Sequence, residues 1–489
     1  MEMKRAICLL LVPILLFGGV QASALEKEER LWQDETIYYI LVDRFLNGDA
    51  NNDYTVDLQD SSAYYGGDFK GIINKLDYIK DMGFTTIALS PIFDNDGQSY
   101  RGDEIVDFYE TEKHFGTIEE FKQLVNEAHN REMKVMFEFG VDSVNAKHEW
   151  VNDSSKSDYF QGDSLRLNHK NQQLVEELIA AAVWWIEETD VDGYYINHTQ
   201  AAPSTFWTAF ANKAKETKKD FYLLGTVTEG AAFEEESFDG MVDLSLMELI
   251  RPAFANIDVD LADVVSSTEK ALVQYKNPEL YGTALDTINS SRFTRDIVGT
   301  NNYPGTRWNL ALAYSYTTPG IPFVIYGSEI ALDGGDVPDN HQLMGFRAEK
   351  GLIDYVTNLG RLRQELPALT RGTFEVLHQD GGFVIFKRVY ESEVLLVVIN
   401  NTAKTQEVTI PLEKLEDNKE LRGLLAGDLV RQLDNGEFKI VTDREEAEIY
   451  ALVDETGLNI GYIAALLTLW ISFAIFIFLV MKRSKRNKK

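Results

Sequence analysis

Chemistry in this chain has to come from polar residues set at the ends of apolar runs. The stretch Val191-Asp192-Gly193-Tyr194-Tyr195-Ile196-Asn197-His198 follows a helix-like run, Leu174 to Glu188, and reads as a short buried strand with a polar end. The residue presented there is Asn197. An amide donates and accepts hydrogen bonds, but it releases no proton and forms no ester. Glu138, Asp192, Asp286 and Glu229 are carboxylates near other strand ends and could act as acids or bases. Asp192 precedes its strand and reads as a cap or turn residue. A second polar stretch, Asn47-Gly48-Asp49-Ala50-Asn51-Asn52-Asp53, is a tight loop rich in side-chain oxygens, with Gly66 and Asp68 following. Such a loop suits calcium, which takes six to eight oxygen ligands, or an Asx-rich turn without metal.

The elements that must position these groups alternate. Strand-like runs fall at Ile37–Val42, Phe84–Leu89, Lys134–Phe139, Gly193–Asn197, Phe221–Val227, Met241–Leu246, Tyr281–Ile288 and Ile321–Tyr326. Amphipathic stretches separate them. One places Ile72, Ile73, Leu76 and Ile79 on a face and closes at Gly83. Another opens with Thr117 and Glu120 as a capping box and turns Phe121, Leu124, Val125 and Ala128 inward. Repeated strand–helix units predict an α/β fold, a (β/α)8 TIM barrel over 25–366, whose chemistry sits at the C-terminal ends of its strands. Residues 141–170, after the third strand, are polar and long for a loop, and predict a short inserted domain. From about Pro367 the pattern turns all-β: Gly372–Leu377, Gly382–Tyr390, Val394–Asn400 and Glu407–Pro411 predict a C-terminal sandwich over 367–453.

The two ends read as targeting and anchoring segments. Residues 1–24 have Lys4 and Arg5, an apolar run from Ala6 to Val20, and Ala22-Ser23-Ala24 as a cleavage site, the pattern of a secretory signal peptide. Cys8, the single cysteine, lies inside it, so the mature chain is expected to have no disulfide and no thiol chemistry. Ile460 to Met481 is uncharged and, at roughly 1.5 Å per residue, long enough to cross a bilayer. The basic residues of 482–489 predict a cytoplasmic tail and place the body outside, a single-pass protein of the cell membrane. The formal charge is −31; setting aside the six positive tail charges and the net +1 of the leader leaves −38 on the body. That surface repels nucleic acid and anionic headgroups, and it excludes nucleic acid as a partner.

Several motifs, in this order, resemble the α-amylase family, glycoside hydrolase family 13, in its cyclodextrin glucanotransferase and maltogenic amylase branch. They are Tyr38 to Phe45; Tyr65-Gly66-Gly67-Asp68-Phe69-Lys70-Gly71-Ile72; Asp107-Phe108-Tyr109 with His114-Phe115-Gly116-Thr117; Thr318-Pro319-Gly320-Ile321-Pro322 with Tyr326-Gly327-Ser328-Glu329-Ile330; Asp336-Val337-Pro338-Asp339-Asn340; and Leu362-Arg363-Gln364-Glu365-Leu366-Pro367-Ala368-Leu369. The resemblance covers residues 32 to about 453 and implies the barrel, the insertion, the β-sandwich and a chemistry on α-linked glucans. It also implies three carboxylates: a nucleophile after the fourth strand, a general acid after the fifth and a stabiliser after the seventh. In this chain those positions fall on Asn197, Thr226 and Asn289. The arginine that usually precedes the nucleophile is Tyr195, the histidine after the third strand is Ser143, and Ile288 replaces another histidine.

The resemblance implies further site residues. Arg292 and Asp336 are retained sugar contacts, and Tyr195 takes a substrate-binding position. Arg101 and Asp103 stand where the family has His and Tyr, and His341 where it has Arg. The calcium ligands carried over are Asn47, Asp49, Asn52, Asp53, the Gly66 carbonyl and Asp68. At the family's second calcium site Arg166 replaces an aspartate, and its cation is expected to pair with Asp142. Tyr64, Tyr65, Tyr100, Tyr194 and Tyr195 are aromatic candidates for sugar stacking or packing. The expectation is a membrane-anchored pseudoenzyme that binds an α-glucan or maltooligosaccharide, or else a membrane-protein partner. The alternative is an active α-glucan hydrolase or transglycosylase with displaced acids.

Overall fold

The computed structural model describes residues 29–96, 99–227, 237–455 and 460–486. The leader expected at 1–24, Glu229 and the last three tail residues lie outside them. Eight parallel strands close into a barrel: β1 (Ile37–Ile40), β2 (Thr86–Leu89), β5 (Lys134–Glu138), β6 (Gly193–Ile196), β7 (Tyr222–Val227), β8 (Gly240–Asp243), β9 (Gly282–Ala284) and β10 (Ile321–Ile325). They follow the eight runs read in the sequence. All eight are shorter than those runs, and the sixth and seventh lose the most at their C-terminal ends. The sixth run stops at Asp243 because that carboxylate accepts the backbone N–H of Ser245 and Leu246 and caps a helix, Leu244–Ala255. The seventh keeps only three residues because Asp286, a little beyond, accepts from Phe293 N at 2.5 Å and draws the chain into the next helix.

The Thr117–Glu120 capping box forms as expected. Thr117 Oγ1 accepts from Glu120 N at 3.2 Å, and Glu120 Oε2 accepts from Thr117 N at 2.8 Å. Between β2 and β5 the chain makes an antiparallel ribbon of β3 (Phe93–Asn95) and β4 (Ile105–Thr111) that the periodicity does not announce, since β3 has only three residues. From Phe139 to Asn171 the chain leaves the barrel with a short helix, Glu149–Asn152, a 3-10 turn, Ser154–Tyr159, and two isolated bridges, Ser143 with Arg166 and Phe160 with Leu167.

After the helix Lys350–Glu365, residues Pro367–Arg371 form one more helical turn before the β region starts. A six-stranded sheet then runs in the order β11 (Glu375–Asp380), β12 (Phe383–Tyr390), β13 (Glu393–Asn400), β18 (Glu446–Asp454), β15 (Lys419–Gly423), β16 (Leu429–Arg431). A two-stranded sheet pairs β14 (Gln406–Ile410) with β17 (Phe438–Thr442). Phe383, Ile385, Leu396 and Val398 face Ile410, Phe438 and Ile440, while Val384, Phe386, Leu395, Val397 and Ile399 join the main core. Both faces of β13 are buried, so Val394-Leu395-Leu396-Val397-Val398-Ile399 is a continuous apolar run instead of an alternating one. The C-terminal helix spans Ile460–Arg486, and its apolar window, Ile463–Arg483, is not buried against the rest of the chain.

Candidate active site at the barrel mouth

Parallel pairing brings the strand ends to one rim. Glu138, last in β5, is level with Tyr195 of β6, and Ile196 is level with Gly225 of β7. Asn197 follows directly and is partly exposed, Thr226 is buried within β7, and Asn289 is exposed on the turn after β9. Tyr195 points into the barrel, where its hydroxyl meets Thr226 Oγ1 at 2.9 Å and its ring packs against Tyr39 and Phe323.

Glu138 is the acid held inside this rim. It is 8% exposed, and Tyr39 donates its hydroxyl to Oε2 at 2.8 Å. Burial pushes its carboxyl up to about 7, with Asp103 adding to the rise; hydrogen bonds from Tyr39 and Asn197 and the charge of Arg101 work against it. Asp286 is committed elsewhere. It caps the helix Phe293–Gly299 through Phe293 N, accepts from Ser328 Oγ at 3.3 Å and faces Arg251 at 3.5 Å. Asp192 stands at the opposite end of the barrel, held by His129 Nε2, Lys218 Nζ and Val135 N, each at 2.8 Å.

Two bridges cross the rim. Arg101, whose side chain is 25% exposed, donates from Nη2 to Asn289 Oδ1 at 2.9 Å and pairs with Asp103 at 3.1 Å. Tyr100 donates its hydroxyl to His341 Nδ1 at 2.8 Å, and His341 Nε2 donates to Ile288 O at 2.7 Å. Burial pushes the His341 imidazole down to about 4, so the ring is neutral at physiological pH and one nitrogen accepts while the other donates. Below them Arg44 lies between the rings of Tyr65 and Tyr100, 3.7 Å from each centroid.

The residues expected to touch sugar are placed as follows. Arg292 is 1% exposed, donating to Asn340 O at 2.8 Å and Tyr326 O at 3.0 Å, so its guanidinium braces the loop after β10. Tyr195 is 2% exposed. Asp336 is exposed on a turn that Asp339 N closes onto its carbonyl at 2.8 Å. Tyr64 and Tyr194 are core residues: one stacks on His114 at 3.9 Å, and the other donates to Ala182 O at 2.6 Å. Arg166 is exposed, and no ion pair joins it to Asp142 among the contacts of the described residues. The Arg101 and Tyr39 contacts were not read in the sequence. Their one signal is the doublet Tyr38-Tyr39, which strand alternation sends to opposite faces, Tyr38 to Glu329 at 2.6 Å and Tyr39 to Glu138.

The oxygen-rich loop is assembled. Asp68 accepts from Asp49 N at 2.7 Å, Gly71 N at 2.6 Å and Gly48 N at 3.0 Å, capping a short helix and pinning the loop. Asn47 Nδ2 donates to both oxygens of Asp53 at 2.8 Å, and Lys70 reaches Asp49 at 3.1 Å. Gly66, at φ 87°, lies against this pair: a Cβ there would stand 2.6 Å from Asn47 Nδ2 and 2.7 Å from Asp53 Oδ1. Asn52 Oδ1 is buried without a hydrogen-bond partner. That orphaned acceptor fits an oxygen-seeking cation. Among the described residues no three His, Cys, Asp or Glu side chains gather to hold a metal, so an ion here would lean on amide and carbonyl oxygens.

Comparison with known proteins agrees with this architecture. The model of the α-amylase catalytic domain matches residues 39–164, and that of the α-amylase C-terminal domain matches residues 372–450. The crystal structure of an Anoxybacillus α-amylase superposes with a TM-score of 0.85 at 46% identity, covering 88% of this chain and 100% of that one. An α-amylase from Geobacillus thermoleovorans, complexed with acarbose, gives 0.82 at 41% identity over the same shares, 88% and 100%. The β/α-amylase of Paenibacillus polymyxa is 28% identical over 459 residues, 86% of this chain, and the chain spans 38% of its length. The chain belongs to the α-amylase family, glycoside hydrolase family 13.

Proposed function

We propose that this is a membrane-anchored α-amylase-family pseudoenzyme that binds α-glucan without cleaving it. One observation carries the reading: the ends of the fourth, fifth and seventh barrel strands present Asn197, Thr226 and Asn289, an amide, a hydroxyl and an amide. Retaining and inverting hydrolysis both need two carboxylates flanking the scissile bond. Asn197 cannot form the glycosyl ester. The Thr226 hydroxyl is far too weak an acid to protonate a leaving oxygen, and loss of acid catalysis alone costs about 10²–10⁴-fold. Glu138 is engaged by Tyr39 and Asn197, and Asp103, the acid whose charge reaches it, is paired with Arg101. Binding of acarbose by a relative at 41% identity supports glucan as the ligand class.

The apolar helix supports a single-pass anchor, with the basic tail inside and the barrel outside. An exposed apolar helix also suits a polytopic membrane protein as partner. Calcium would be held by Asn52, Asp53 and the Gly66 carbonyl, with Asn47, Asp49 and Asp68 around it, and its contribution would be to fix the loop after β1. Asp49 and Asp68 are already engaged by Lys70 and backbone amides, which leaves Asn52 as the residue with most to gain.

A second reading has one observation in its favour. Glu138, with a carboxyl near 7, has the acidity of a general acid, so an active glucan hydrolase with displaced acids remains the competitor. The test is release of reducing sugar from starch, pullulan or maltooligosaccharides by the purified protein, paired with calorimetry for maltooligosaccharide binding. The expected result is binding without release. Release that disappears in Glu138→Gln would establish the competitor.

A further inference from the structure

Away from the rim, a pocket of about 450 Å3 opens between the Asn47–Asp53 loop and the start of the helix Ile118–His129. Its lining includes Asn51, Tyr54, Glu110, Lys113 and Glu119, and none of the rim residues takes part. Its volume lies in the range of small-ligand sites. Tyr54 is 61% exposed, a large apolar ring left open to water. The ring is nonetheless fixed in place. It stands edge-on to His114, with centroids 5.5 Å apart and planes at 82°. His114 is buried, stacked on Tyr64 at 3.9 Å, paired with Glu112 and bonded to Thr55 Oγ1 at 3.0 Å. The loop carrying Tyr54 is tied by Tyr54 N donating to Asn52 O at 2.9 Å and by Asp49 accepting from Asn51 N at 3.0 Å.

The polar lining discriminates among ligand classes. An anion would meet four carboxylates, Asp49, Glu110, Glu119 and Glu120, and an organic cation stacked on Tyr54 would meet Lys113, whose ammonium stands 5.9 Å from that ring. A neutral polyhydroxyl compound suits all of these at once, because each hydroxyl can donate to a carboxylate and accept from an ammonium or amide. Its C–H face would lie on the ring. We infer that this pocket is an accessory α-glucan-binding site, with Tyr54 as its stacking platform, distinct from the barrel mouth. The inference rests on the glucan-binding reading above and adds to it a second point of attachment.

The experiment uses the full-length protein in detergent micelles, with soluble starch and maltoheptaose as α-linked probes and cellohexaose as a β-linked one. Affinity electrophoresis and calorimetry compare wild type, Tyr54→Ala, Tyr54→Phe and the rim variant Asn197→Ala. Because Tyr54 is exposed, Tyr54→Ala should keep the wild-type melting temperature. The expected result is a loss of starch affinity of roughly fivefold to tenfold in Tyr54→Ala, a change under about twofold in Tyr54→Phe, and weaker or no binding of cellohexaose. Undiminished starch binding by Tyr54→Ala, with Asn197→Ala carrying the whole loss, would overturn the accessory site and leave the glucan-binding reading standing. Failure of the wild type to bind any α-glucan would overturn both. Equal, Tyr54-dependent binding of cellohexaose would overturn the assignment to α-linked glucan.

Discussion

The barrel mouth and the seam between the barrel and the β domain both place charged groups away from water, yet they solve the problem in opposite ways. At the seam the buried groups are arginines satisfied chiefly by backbone carbonyls. Arg363 donates to Gly320 O at 2.5 Å, Tyr316 O and Gln33 O at 3.1 Å, and Leu369 O at 3.3 Å. Arg388 donates to Thr373 O at 2.9 Å, Gly372 O at 3.1 Å and Thr317 O. Arg307 reaches across to Asn401 Oδ1 at 2.5 Å and Glu445 at 3.1 Å. Burial pushes Arg388 down to about 9, with the nearby charge of Arg363 adding to the fall, and each guanidinium still organises several carbonyls. At the mouth, single bonds between amides, hydroxyls and one arginine suffice, and the buried acid there sits near neutrality. The difference separates buried charges that tie the scaffold together from polar groups that meet singly at an open rim.

The sharpest way to break this contrast is to exchange the two kinds of residue. Arg388→Met leaves three carbonyls without their donor in a dry interface and should destabilise the protein by at least about 3 kcal/mol. Asn289→Ala at the exposed rim should stay within about 0.5 kcal/mol of wild type. Urea midpoints for both variants measure this. Comparable losses would mean that the rim is as structural as the seam.

The buried acid offers the next largest effect. Glu138 titrates near 7 in the folded protein against an ordinary value of 4.5, so the folded state holds its proton where the unfolded state has released it. Stability contributed by this group is therefore greatest at low pH, falls as pH rises from about 4.5 to 7, and stays reduced above that. Glu138→Gln keeps an acceptor for Tyr39 but has nothing to titrate. At pH 8 it should be more stable than wild type by up to about 3 kcal/mol, and the step between pH 5 and 8 should shrink. Melting curves of the two proteins with the same pH dependence would show that the rim tolerates the charged acid and that its burial is not the controlling feature.

The loop after β1 is intermediate, since it carries an orphaned buried acceptor, Asn52 Oδ1, as the mouth does in Asn340 Oδ1. Calcium at a hundredfold excess over its dissociation constant should stabilise the protein by about 2.7 kcal/mol, and a chelator should reverse this. Asn52→Ala should abolish the response, while the loss of its side-chain hydrogen bond to Asp68 should cost the calcium-free protein about 1 kcal/mol. A melting temperature indifferent to both calcium and chelator would leave the loop as an Asx turn held by Asp68.

Periodicity located the barrel because each of its strands is an apolar run bounded by helical patterns, and the motifs located Asn197, Thr226 and Asn289 because each sits at a fixed offset from such a run. What escaped was contact across the barrel. Arg101 meets Asn289 over a separation of 188 residues, Tyr39 meets Glu138 over 99, and Tyr100 meets His341 over 241. A one-dimensional pattern says which face of a strand a side chain takes, not which partner it finds there. The burial of Arg292 is of the same kind, since it depends on Tyr326 and Asn340, which are distant in sequence. Boundaries failed where a capping side chain overrode an apolar run, as Asp243 does before Leu244, Ser245 and Leu246.

The smallest predicted effect tests the rim most directly. Arg101 spans the mouth with one hydrogen bond to Asn289 and one ion pair to Asp103, both partly open to water, so Arg101→Ala should cost no more than about 1 kcal/mol of stability. Its functional consequence is larger than its structural one. With the bridge gone, Asn289 Oδ1 is free to meet a ligand, and maltooligosaccharide affinity at the mouth should rise. Arg101 also pulls the Glu138 carboxyl down, so its removal should move the stability step of Glu138 to higher pH, a readout that a simple loss of packing would not produce. If the two sites act independently, the gain should persist in the Arg101→Ala, Tyr54→Ala double variant, since distant substitutions add. A fall in affinity instead of a rise would make Arg101 a ligand contact, and the rim would then be a site rebuilt around a cation and not one left vacant by its acids.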